Sequence, residues 1–164
     1  MFGIILAQVI EARTQIMRFR AAANRIDDGF LVMIVMSNPA SVLIVEDDEC
    51  IAALIADALR EETDVRPFIL HNGNDAIRFL AEQPIDFLIL DYQLPGANGL
   101  AVYDAIRQNP RTRHTPVLFI TANDKRAEFQ RRSLTYMRKP FNLFELLATV
   151  EERLGQPHDS AAST

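Results

Sequence analysis

Two short apolar runs in this sequence end in carboxylates. Val42–Val45 leads directly into Glu46, Asp47, Asp48 and Glu49, and Phe87–Leu90 leads into Asp91. Short runs without polar alternation read as parallel strands buried on both faces. A carboxylate leaving such a strand is costly unless a cation or hydrogen-bond donors meet it. Two further strand-like runs end in groups able to do so: Pro116–Ile120 reaches the hydroxyl of Thr121, and Leu134–Arg138 reaches the ammonium of Lys139. Singly, each residue has an ordinary reading. Asp91 could cap a loop, the acidic run could complement a helix dipole, Thr121 could end a strand and Lys139 could be a solvated cation. Together, at successive strand ends, they could form one site. Glu46, Asp47 and Asp91 would repel one another in a partly buried pocket. A hard dication relieves that repulsion, and Mg²⁺, which takes one or two carboxylates plus a phosphate oxygen, fits better than zinc or a redox metal. A phosphoryl group on Asp91 would find its oxygens met by Mg²⁺, Thr121, Lys139 and backbone N–H groups.

The elements that must position these residues alternate from Ser41 onward. After the Val42–Val45 strand, Ile51, Leu54, Ile55, Ala58 and Leu59 fall on one face of a helix ending near Glu62. Val65–Leu70 reads as a second strand. His71, Asn72 and Gly73 read as a turn, with Asn74 as the N-cap of a helix that runs to Pro84. The Asp91 strand and a helix over Gly99–Gln108 come next. The Thr121 strand, a short polar helix and a weak strand to Arg138 follow. In the last helix Asn142 and Glu145 make a capping-box pattern, Leu143, Leu146, Leu147, Val150 and Leu154 form the buried face, and Gly155 is the C-cap. The pattern predicts an α/β fold: a doubly wound, five-stranded parallel sheet of order 2-1-3-4-5, flavodoxin-like, with helices on both faces. Its switch point lies between strands 1 and 3, which brings Glu46 and Asp47 to Asp91.

Composition narrows the function class. The net charge of −5 argues against a nucleic-acid or anionic-membrane surface, and the basic stretch Lys125–Arg132 reads as a solvated helix face. Cys50 is the only cysteine, so a disulfide framework and a thiolate metal site are both excluded, and a reducing cytoplasm fits. His71, His114 and His158 lack ligand spacing. No apolar run approaches the roughly 20 residues needed to span a bilayer, and the expectation is a soluble, cytoplasmic protein. Residues 1–36 stand apart. Ile5, Val9, Ala12, Ile16, Phe19 and Ala23 make a narrow helical stripe, and Phe30–Met36 is an apolar run. Either this is a helical extension that dimerises or covers the domain, or the natural start is Met36. Gln156–Thr164 reads as a disordered tail.

The motifs VLIVEDDE, DFLILDYQLPGANG, PVLFITA and YMRKPF, in this order, resemble the receiver domain of two-component response regulators over residues 41–155. The resemblance implies that Asp91 is the phosphoacceptor, with Glu46 and Asp47 as metal-binding acids and the Gln93 backbone carbonyl as a further Mg²⁺ ligand. Thr121 and Lys139 would sense the phosphate, Tyr136 would be the switch aromatic, and the bond before Pro140 would be cis. It further implies a non-enzymatic, stand-alone phosphorelay protein, phosphorylated by a histidine kinase or phosphotransfer protein, that signals to an unidentified output protein, with a homodimer as one option. Two departures bear on that output face. Only 17 residues (122–138) separate Thr121 from Lys139, so the fourth helix must be short, and RRSLT replaces the family's usual turn before the fifth strand. Two rival classes are an unphosphorylated receiver-fold adaptor and an aspartyl-phosphate phosphohydrolase. The latter generally carries a second Asp where this chain has Gln93. A nucleotide-binding domain would need a Gly-rich loop after the first strand, where this chain has acids.

Overall fold

A computed structural model of the chain describes residues 39–122 and 126–155; the expectations for residues 1–36 and 156–164 lie outside the described residues. Five strands and five helices alternate: β1 Ala40–Val45, α1 Glu49–Glu62, β2 Val65–Leu70, α2 Gly73–Glu82, β3 Phe87–Asp91, α3 Gly99–Gln108, β4 Val117–Thr121, α4 Arg126–Arg131, β5 Thr135–Arg138 and α5 Leu143–Leu154. All strand pairs are parallel and the order is β2-β1-β3-β4-β5, as the pattern predicts.

The unbroken apolar runs follow from burial on both faces. Val42, Ile44, Phe87, Ile89, Leu118 and Ile120 point into a core closed by α1 and α5. The intervening Leu43, Val45, Leu88, Leu90 and Phe119 point into a second core closed by α2, α3 and α4. Each fully buried side chain of this size contributes roughly 1.5–3 kcal/mol, so a one-residue slip in a central strand would exchange the two cores.

Helix starts are fixed by side-chain caps. Asp48 accepts from the N–H groups of Cys50 (2.9 Å) and Ile51 (3.1 Å), Asn98 from Ala101 (2.9 Å) and Asn142 from Phe144 (2.9 Å). At α2 the cap is Asn72, which accepts from Asn74 N–H at 2.8 Å, and not Asn74 as the sequence suggests. Gly73 is already helical, and only glycine fits there, since a Cβ would lie 1.8 Å from the Ala97 carbonyl oxygen. Gly155 caps α5 in a right-handed conformation, donating to Glu151 O at 2.9 Å. The fourth helix is as short as the Thr121–Lys139 spacing requires. Its buried Phe129 meets Phe119 and Tyr136 at centroid distances of 5.0 Å each, and Tyr92 edge-on at 6.1 Å. Arg132, the residue just after α4, pairs with Asp104 of α3 (2.8 Å). Among the described residues, no helix is long and apolar enough to cross a membrane.

Candidate functional site at the carboxyl ends of the strands

Register brings the acids together. Val45 pairs with Leu90, so the next residues, Glu46 and Asp91, leave the sheet side by side. One carboxylate oxygen from each of Glu46, Asp47 and Asp91 lies within 4.8 Å of the others. Their settings differ: Glu46 is fully buried, Asp91 is 4% exposed and Asp47 faces solvent. The acidic run thus divides its labour, Glu46 lining the pocket, Asp47 standing at its mouth and Asp48 capping α1.

Lys139 reaches the same place from β5. Its backbone N–H donates to the Thr121 carbonyl at 2.8 Å, the Lys139–Pro140 bond is cis as the resemblance implies, and Nζ donates to both Glu46 oxygens (2.7 Å each) and to Asp91 Oδ2 (2.6 Å). The other Asp91 oxygen, Oδ1, accepts from the Gln93 N–H at 3.0 Å. Burial, reinforced by the charge of Asp91, pushes Glu46 up to about 7 despite the Lys139 ammonium and the Asp48 N–H beside it. Burial opposes the Lys139 charge as well, but hydrogen bonds and ion pairs with Asp91 and Glu46 outweigh it and raise the Lys139 pKa. With all groups ionised, three carboxylates face one ammonium, a net charge of −2 on hard oxygen donors. That is the charge and donor chemistry a magnesium-like dication complements.

The switch candidates lie on the β4–β5 side. Thr121, fully buried, ends β4 opposite Arg138, and Tyr136 pairs with Phe119 two residues before. The Tyr136 ring stacks on Phe129, and its hydroxyl accepts from Arg126 Nε at 3.3 Å.

Two residues that hold this site were not legible from residue spacing. His71 Nδ1 lies 2.7 Å from the Glu46 carbonyl oxygen, and the Glu46 N–H donates to Leu70 O at 3.0 Å, so the residues just past β1 and β2 fasten the acidic loop. The signal for His71 was its place one residue past a strand predicted beside β1. Gly99 opens α3 against the back of the phosphoacceptor candidate: a Cβ there would lie 2.3 Å from the Asp91 carbonyl oxygen.

This combination of a five-stranded parallel sheet, clustered acids at the switch point and a lysine joined to the next residue, a proline, by a cis bond defines a receiver domain. The model of the response regulator receiver domain matches residues 42–151, and the chain belongs to that family. It is 34% identical over 127 residues to the phosphate regulon transcriptional regulatory protein PhoB of Rhizobium meliloti, covering 75% of this chain and 56% of that one. It is 29% identical over 118 residues to a probable chemotaxis protein CheY of Rhizobium etli, covering 70% and 92%. The chain spans about half the length or less of several other curated relatives it matches. Among solved structures, the receiver domain of a Pseudomonas aeruginosa sensor histidine kinase, with a magnesium ion in its active-site cleft, is 26% identical with a TM-score of 0.65, covering 72% of this chain and 99% of that one.

Proposed function

We propose that this receiver domain accepts a phosphoryl group on Asp91 from the phosphohistidine of a sensor kinase or phosphotransfer protein, and that the phosphorylated form signals to a protein partner. The observation that carries this reading is the double grip on Asp91, Oδ2 by Lys139 and Oδ1 by the Gln93 N–H, beside two more carboxylates. A carboxylate oxygen attacks phosphorus, the new P–O bond forms as the P–N bond to the imidazole breaks, and the imidazole nitrogen leaves with the electron pair. The donor set fits Mg²⁺, held by Glu46, Asp47, Asp91 and the Gln93 carbonyl, which would neutralise charge on the transferring oxygens. Lys139 already holds Asp91 Oδ2 and is positioned to exchange it for a phosphoryl oxygen. The Thr121 hydroxyl takes another, and Tyr136 relays the change to the α4–β5 face. The chain acts as phosphoacceptor and signalling element and not as an enzyme on an external substrate. Gln93, exposed and neutral, cannot serve as the general acid of a phosphohydrolase. Residues 41–155 form the phosphorylatable unit, with residues 1–36 and 156–164 outside it.

Incubation with acetyl phosphate and Mg²⁺ gives an acid-stable, base-labile adduct in the wild type and none in Asp91→Asn. An adduct of equal yield in Asp91→Asn would move the acceptor elsewhere. No adduct in either, with acetyl phosphate or with any candidate kinase, would favour the unphosphorylated adaptor.

A further inference from the structure

At the opposite end of the sheet from the acids, the amino ends of β3, β4 and β5 open onto a half-open cleft of about 150 Å³, between the last turns of α3 and α5. Its polar lining comes from Arg107 of α3, Arg153 of α5, Thr149, Thr135 and Ser133. Arginines in the last turn of a helix complement its dipole, and that alone could explain both. Their pairing says more. Arg60, in the last turn of α1, is held by Asp57 at 2.8 Å, and Arg131, in the last turn of α4, by Glu128. Arg107 and Arg153, among the described residues, pair with no carboxylate. Arg107 stacks over the Tyr103 ring at 4.4 Å and makes one long hydrogen bond, 3.4 Å, to Thr112 O; Arg153 donates to Thr135 Oγ1 at 3.3 Å. Each guanidinium therefore keeps most of its five donors available, and Thr135, an acceptor from Arg153, keeps its own hydroxyl proton to donate.

The surroundings reinforce this. Between Asp104 and Asp124 the sequence carries Arg107, Arg111 and Arg113 and no acid, in a chain of net charge −5. Ser133 adopts φ 53°, a left-handed conformation uncommon outside glycine and of the kind that gathers at ligand clamps. It belongs to RRSLT, the segment just before β5 that forms one wall of the cleft.

We propose that this cleft binds a small phosphate dianion. Two guanidinium forks, with the Ser133 and Thr135 hydroxyls lining the same cleft, match four oxygens carrying two charges, where Lys would offer only point charges; the Thr149 hydroxyl is already donated to the Glu145 carbonyl at 2.7 Å. The volume lies well below the roughly 300 Å³ of a pocket for a drug-sized ligand, which restricts the occupant to a phosphate or a very small monoester. Nothing in this assignment depends on phosphorylation of Asp91.

The test is a titration of the full-length ¹⁵N-labelled protein with inorganic phosphate, at constant ionic strength and in EDTA so that no divalent cation carries phosphate to the acids. Saturable amide shifts are expected at Arg107, Ser133, Leu134, Thr135 and Arg153. Arg107→Gln and Arg153→Gln, each with a native amide spectrum, should weaken binding about tenfold, the loss of one charge-assisted pair. Methyl phosphate binding equally well identifies the phosphoryl group of a monoester as sufficient. Binding of inorganic phosphate alone identifies the free ion. Succinate binding as tightly as phosphate, shifts that follow chloride equally, or phosphate shifts unchanged in both variants would each overturn the assignment.

Discussion

The two strands that lead to Asp91 and to Lys139 are built differently. β3 is buried at all five positions and lies between two neighbours, whereas β5 has four residues, none fully buried, and is an edge strand. Asp91 is the last residue of the first, and Tyr136 lies within the second. A group that must attack in line needs a fixed position, which a central strand clamped by two cores supplies. A group that reports the reaction needs two positions of similar free energy. A short edge strand backed by a six-residue helix permits that. The site thus divides into a rigid acidic side and a pliable aromatic side, with Lys139 and the Thr121 carbonyl at the seam.

Breaking the rigid side should cost the most. Gly99→Ala forces a methyl to 2.3 Å from the Asp91 carbonyl oxygen and 3.0 Å from Tyr92 Cα, both backbone atoms that cannot yield without moving the site. The expected loss is about 3 kcal/mol, read as a lowered urea midpoint at unchanged slope, together with poor labelling. A variant as stable and as readily labelled as the wild type would show that the β3–α3 junction is not rigid.

The charge on the rigid side gives the next effect. The folded protein holds the Glu46 proton up to about 7, against an ordinary 4.5. The stability this contributes is present in full below pH 4.5 and is lost as pH rises through 7. Without divalent cations, the urea midpoint should therefore decline over that window, by on the order of 3 kcal/mol at most. Glu46→Gln should remove the decline, and millimolar Mg²⁺ should reverse it by favouring the ionised acids. A profile unchanged by either would mean that Glu46 is not the titrating group.

The pliable side should show the smallest effects on stability and labelling and the clearest effect on response. Thr121→Ala and Tyr136→Ala are expected to label at Asp91 within about twofold of wild type, since neither bears the attacking oxygen or the charges proposed to meet the phosphoryl group. They should nevertheless lose most of the amide-exchange difference that beryllofluoride induces around α4 and β5. Equal exchange differences in wild type and Thr121→Ala would reduce Thr121 to the end of a strand.

Much of this was legible in the residues themselves. Apolar runs ending in Glu46, Asp91 and Thr121 fixed the parallel sheet and its strand order, because βαβ connections and burial on both faces leave few alternatives. The position of every group in the acid–lysine site followed from its strand end. The Thr121–Lys139 spacing likewise announced a short α4. Other features depended on contacts between segments distant in sequence. Asn72 and not Asn74 caps α2, and residue 73 must be glycine because the Ala97 carbonyl approaches it so closely. His71 meets Glu46 only because β2 lies in register with β1, and Arg107 faces Arg153 across a cleft only once α3 and α5 have settled on opposite sides of one sheet. Local propensity and burial pattern act within a dozen residues and are written in sequence. Which carbonyl a histidine meets, or which arginine lacks a carboxylate, is decided by packing, where tertiary contacts select among local choices of nearly equal free energy.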